Sequence, residues 1–332
     1  MQDLIIKQVD AFTTKPFSGN PAGVITDADG LGIEMMQTIA GEMNLTETAF
    51  VTVPEEENAM FRLRFFTPTE EVDLSGHATI ATCYALIEAG RIPLSNGVTR
   101  IHLETNIGIV LVDIYFHQRT KANDTREMNK EGIELIQEGE IRGTLEKMMM
   151  HYAVPPYRRS NIPVSDIASI LCVREDEILK TGMPLEIIST GLEQLMIPVL
   201  HKETILDMHP DLIKLSLMNR KFGIHTNHIF TTDTFSPECV SYSRHFAPAL
   251  GMWEDPATGT AAAGLGTYLL RHGIITTDSM IMEQGKETEN LARILVEIDQ
   301  VGGGDGSVRI GGLAVTSIAR TIKMREGELV IN

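Results

Sequence analysis

The sequence predicts an α+β fold built twice: two similar domains, each a curved β-sheet or barrel around a buried central helix, related by a pseudo-twofold. A motif with a glycine-bounded segment behind it occurs twice, and both segments are apolar on every side. The runs around them are β-branched or alternate in polarity, the pattern of strands.

A repeat decides the architecture. Arg64-Phe65-Phe66-Thr67-Pro68 returns as Arg244-His245-Phe246-Ala247-Pro248. Behind the first copy come Asp73, Gly76 and Gly90; behind the second come Asp255, Gly259 and Gly273, with the glycines equally spaced and an isoleucine (Ile92, Ile275) at the same offset. Ser75 and Thr258 are placed as N-caps, and Gly90 and Gly273 as left-handed stops. From Ala78 to Ala89 only Thr79, Thr82, Tyr84 and Glu88 carry polarity; from Ala261 to Leu270 only Thr267 and Tyr268 do. A helix without a polar face must be enclosed by the rest of its domain.

Strands are expected at 4–12, 46–53, 60–66, 101–103, 107–115, 186–189, 195–200, 228–231, 240–246, 294–298, 308–310 and 314–322. Amphipathic helices are expected at 33–43, 163–180 and 210–219. The domains read as 1–120 and 146–332, with the terminal strand around 314–330 able to return to the first. The charged stretch 117–145 reads as an insertion or linker with a short helix around 130–137. Gly302-Gly303-Gly304-Asp305-Gly306-Ser307 lies between strand-like runs without a following lysine, so it reads as a hairpin rather than a phosphate loop.

Composition narrows the function. The 332 residues carry 28 Lys and Arg against 45 Asp and Glu, a formal charge of −17, so a nucleic-acid partner is not expected. The three cysteines, Cys83, Cys172 and Cys239, form no C-x-x-C pair, which fits a reducing compartment. No apolar run approaches a membrane span, and the first twelve residues have neither a basic lead nor a sustained apolar core. A cytoplasmic location and no membrane partner are therefore expected. The ten histidines show no H-x-H or H-E-x-x-H spacing, so neither a metal nor another cofactor is expected.

The chemistry is sought at the N-termini of the two buried helices, Ser75-Gly76-His77 and Thr258-Gly259-Thr260. Helix N-termini present free N–H groups and partial positive charge, and a glycine there lets a ligand approach the backbone. Packed by a pseudo-twofold, the two N-termini would face one cleft, which suits a small anionic organic substrate. His77, Asp255 and the adjacent Glu254 are the titratable groups beside them, while Asp73 reads as a capping or turn carboxylate. Glu47, flanked by Leu45, Ala49 and Phe50, sits where burial could desolvate it.

Gly19-Asn20-Pro21-Ala22-Gly23-Val24, the run from Met43 to Val51 and Asp73-Leu74-Ser75-Gly76-His77-Ala78-Thr79 resemble successive signatures of the phenazine-biosynthesis-like (PhzF-like) isomerase family. So do Ser189-Thr190-Gly191, the run from Glu254 to Ala261, and Glu283-Gln284-Gly285, in the same order. The resemblance implies the fold of diaminopimelate epimerase, a cofactor-independent isomerase and a homodimer. It implies Glu47 as the proton carrier, His77 and Asp255 as further catalytic residues, and Asn20, Ser75, Gly76, Gly259 and Thr260 in substrate binding. Thr260 stands where the family usually has serine; its methyl narrows the pocket. Two other readings are carried: a non-catalytic small-molecule-binding or interaction protein that kept the fold, and a two-thiol epimerase. The second is disfavoured because no cysteine stands at a helix N-terminus, where a thiolate would be activated.

Overall fold

Each copy of the repeat folds around its apolar helix. The computed structural model describes residues 2–119, 132–137, 141–299, 306–325 and 328–330. The chain divides into two units, Met1–His151 with Gly311–Asn332, and Tyr152–Ile310.

The first unit opens with β1 (Gln2–Ala11), β2 (Asn20–Ile25), α1 (Ile33–Met43), β3 (Glu47–Thr52), β4 (Phe61–Phe66) and the short β5 (Glu71–Val72). Then come α2 (Gly76–Glu88), β6 (Gly97–Thr105), β7 (Gly108–Gln118), β8 (Ile133–Gln137) and β9 (Ile141–Ala153). The second unit holds β10 (Tyr157–Arg159), α3 (Val164–Leu171), α4 (Glu175–Leu179), β11 (Glu186–Ser189), β12 (Glu193–Pro198), α5 (Lys202–Asp207), α6 (Leu212–Phe222), β13 (Thr226–Thr231) and β14 (Ser241–Ala247). It continues with β15 (Met252–Asp255), α7 (Gly259–Arg271), β16 (Ser279–Gln284), β17 (Ala292–Asp299) and β18 (Ser307–Gly312). Finally β19 (Ala314–Arg325) pairs antiparallel with β1 along nearly its whole length, and β20 (Glu328–Val330) pairs with β19.

The two units use one strand order. β1 is antiparallel to β2, β2 parallel to β3, β3 antiparallel to β4, and β4 parallel to β6, which turns back into β7. β11, β12, β13, β14, β16 and β17 repeat those relationships in turn. The duplicated Arg-x-Phe has a physical job in both. Arg64 on β4 forks onto Glu71 of β5 at 2.7–2.8 Å and lies over the Phe66 ring. Arg244 on β14 does the same with Glu254 of β15, at 2.8 Å, and with Phe246. Each arginine thereby fixes the short strand that leads into the central helix.

Every residue of α2 from His77 to Ile87 is buried, and the helix packs against β1, β2, β3 and β19. Thr79 and Thr82 tolerate this because their hydroxyls donate to the carbonyls of Ser75 and Ala78, one turn back. In α7, Tyr268 reaches the carbonyl of Pro184. Both helices end as their glycines predict: Gly90 and Gly273 have φ of 66–68°, and each helix closes with the paired backbone bonds of a Schellman motif. Outside the strands, α1 buries Met36, Ile39 and Ala40 against Phe50 and Phe66.

Some expectations change. Ile133–Gln137 is a strand paired with β9, where the sequence suggested a helix; the exposed Glu134 and buried Leu135 follow a period of two. The helix expected over 163–180 is two, α3 and α4, because Cys172 takes a left-handed conformation and ends the first. Cys172, at that turn, is exposed. β2 and β16 were not expected, since Gly23 interrupts one and methionines dilute the other. The glycine run at 302–305 lies outside the described residues. Among the described residues, no helix is long and apolar enough to cross a membrane.

Candidate active site

In the first unit, three neighbouring elements bring their polar ends together. Gly19 adopts φ of 65°, and a Cβ there would collide with the Ala11 carbonyl oxygen, so only glycine makes this turn into β2. The turn delivers the fully buried Asn20 to the start of β2. Ala22 is in register with Glu47, so Asn20 and Glu47 lie at the same end of two parallel strands. α2 begins beside them with Ser75 as its N-cap.

Glu47 is held inside this cluster, its side chain 15% exposed. Burial pushes its carboxyl up from 4.5 to about 7, against hydrogen bonds from the Thr46 and Ser75 hydroxyls, which pull the other way. Its Oε2 stands 3.2 Å from Nε2 of His77 and, among the described residues, accepts no hydrogen bond. The imidazole is braced on both nitrogens, by Thr46 Oγ1 at Nε2 and by Ser75 Oγ at Nδ1, each at 3.3 Å. Ser75 makes no side-chain cap on α2, because its hydroxyl faces His77 and Glu47 instead. Gly76 is half-buried at the opening of the helix, and Asp73 is exposed in the bend before it.

In the second unit, Asp255 ends β15 and is buried. Its Oδ2 accepts the Thr258 hydroxyl at 2.5 Å. Thr258 is the N-cap residue of α7 but, like Ser75, makes no side-chain cap. Gly259 and the half-buried Thr260 open the helix behind it. Glu254, considered beside Asp255, is committed to Arg244.

The structure thus gathers Asn20, Glu47, Ser75, Gly76 and His77 in one unit and Asp255, Gly259 and Thr260 in the other. Two participants escaped sequence reasoning, Thr46 and Gln284. Both stand inside motifs read from the sequence, but only coordinates reveal where a hydroxyl or an amide points.

The phenazine biosynthesis-like protein family model matches residues 9–320. The chain belongs to this family. It is 33% identical to an uncharacterized isomerase of Clostridium acetobutylicum, over 98% of this chain and 97% of that one. It is 31% identical to the uncharacterized isomerase YfhB of Bacillus subtilis, over 98% and 100%. Among solved structures, a PhzF-family phenazine biosynthesis protein of Bacillus anthracis superposes with a TM-score of 0.81 at 27% identity, covering 98% of this chain and 100% of that one. A hydroxyproline epimerase of Agrobacterium vitis shares the fold, with a TM-score of 0.58 at 10% identity over 96% and 92%. The chain is an enzyme of the isomerase class with an epimerase-like fold.

Proposed function

We propose that this PhzF-like isomerase moves a proton between carbon atoms of a small, unsaturated, cyclic carboxylic acid, without a cofactor, using Glu47 as the acid–base group. The observation that carries the reading is the buried Glu47 carboxyl, shifted to about 7, with Oε2 3.2 Å from Nε2 of His77. A group that is half-protonated near neutrality takes and returns a proton with the least cost in either direction.

The steps balance without an outside reactant. The Glu47 carboxylate removes a proton from a carbon next to the unsaturated system, whose electrons shift along the conjugated chain. The same carboxylic acid then delivers that proton to a different carbon, and the carboxylate is restored. Negative charge that develops on the substrate is met by His77 and by helix N–H groups that the Ser75 and Thr258 side chains leave uncapped. In this reading, Asp255 and the N-terminus of α7 are also required for turnover. The buried thiols are poor candidates for the base, because burial pushes Cys83 and Cys239 up to about 12.

The test is solvent deuterium exchange into a panel of cyclic and enolic acids, read by mass spectrometry for wild type and Glu47→Gln. The wild type should label at least one acid, and the variant should be slower by about 10²–10⁴-fold. Equal labelling by both proteins would remove Glu47 from the mechanism. Binding of these acids without labelling by either would favour a non-catalytic binder.

A further inference from the structure

The second unit differs from the first at two positions that touch each other. Glu104 closes its strand by accepting the backbone N–H groups of Glu55 and Glu56; Glu283 does the same for Phe235 and Ser236. This shared role aligns the next residues, Thr105 and Gln284. The Thr105 hydroxyl stays within its own hairpin, on the Gly108 carbonyl. Likewise the two arginine–glutamate forks align Glu71 with Glu254, and therefore Val72 with Asp255. Where the first unit has valine and threonine, the second has aspartate and glutamine.

Gln284 is 1% exposed, and its amide is spent on the turn that joins Asp255 to α7. Nε2 donates to the Asp255 carbonyl at 2.9 Å and to Thr258 Oγ1 at 3.1 Å, while Oε1 accepts the Thr258 N–H at 3.0 Å. A flipped amide would set two oxygens against each other, so these contacts fix its orientation. A threonine hydroxyl has one proton. With Gln284 occupying an acceptor position of Thr258 Oγ1, that proton is directed onto Asp255 Oδ2. The same clamp holds the hydroxyl away from the first-turn N–H groups of α7, which an N-cap threonine ordinarily bonds.

We infer that Gln284 is the positioning residue for Asp255: it commits the Thr258 hydroxyl to the Asp255 carboxyl and keeps the N-terminus of α7 uncapped. The role of Asp255 in turnover rests on the function proposed above; the clamp itself does not.

Three proteins test it: Gln284→Ala, Thr258→Val and the double variant. Amide hydrogen exchange needs no ligand. In Gln284→Ala the released hydroxyl should cap α7, slowing exchange at Thr260 or Ala261 about fivefold. The double variant, which has no hydroxyl, should return to the wild-type rate. Unchanged exchange in Gln284→Ala, or slowing that persists in the double variant, overturns the clamp whatever the activity. In the deuterium-labelling assay, run with the acid the wild type labels fastest, each single variant should lower kcat with little change in KM. The double should be no slower than the worse single, because both act through one contact. Multiplying losses would mean that Gln284 only supports the fold. If the wild type labels nothing, the proposed function fails, and amide exchange still decides the clamp.

Discussion

His228 and His245 face each other across β13 and β14 with their Nδ1 atoms 3.2 Å apart, and His245 is in turn paired with Asp255 on β15. The matching row in the first unit is Ala49, Phe65 and Val72. The duplicated scaffold therefore carries an apolar row in one copy and a titratable row in the other.

Acid should destabilise the protein through this pair. Burial lowers both imidazoles, His245 to about 3, and His228 further feels its neighbour. Unfolded histidine binds its proton near 6.5, so the unfolded state gains protons first and stability falls as pH drops below about 6.5. Replacing the row with that of the first unit, His228→Ala with His245→Phe, should flatten urea-unfolding midpoints between pH 7 and 5. The difference should reach about 2 kcal/mol per histidine at pH 5.

Glu47→Gln should stabilise the fold while removing proton transfer. The folded-state value of about 7 exceeds the ordinary 4.5, so the folded protein holds the proton more tightly. This favourable contribution is complete below about 4.5 and disappears as pH rises through about 7. Above that pH the variant should exceed wild type by about 3 kcal/mol in denaturant unfolding, with no gain near pH 4.

Ser75→Ala removes a hydroxyl that pulls Glu47 downward. The Glu47 midpoint, followed by carbon NMR, should move further up, and the acid limb of activity should move with it. Stability should change by less than the roughly 1 kcal/mol of a lost helix cap, since Ser75 makes none.

The two arginine forks should respond unequally to lysine, which cannot engage a carboxylate through two parallel bonds. Arg244 is 3% exposed and also donates to the carbonyls of Ile205 and Met208. Arg244→Lys should cost about 2–4 kcal/mol by urea unfolding. The more exposed Arg64 should lose about 1 kcal/mol or less.

Much of the fold was legible in the residues themselves. The enclosed helices followed from their lack of a polar face, their ends from Gly90 and Gly273, and the duplication from Arg64 and Arg244. Cys172 and Ile133–Gln137 were misread because each signal is local and weak: one left-handed residue, and one short alternation inside a charged stretch. Thr46 and Gln284 were passed over because their type is ordinary and only their partners make them informative.

The sequence by itself determined the repeated strand–helix plan and the motifs in which Glu47, His77 and Asp255 lie, since both are carried by periodicity and residue order. Only the tertiary structure decided that Ser75 and Thr258 spend their hydroxyls on neighbours rather than on their helices, and that Glu47 is driven to about 7. The physical reason is that desolvation and hydrogen-bond direction depend on atoms from distant parts of the chain, which sequence spacing does not encode.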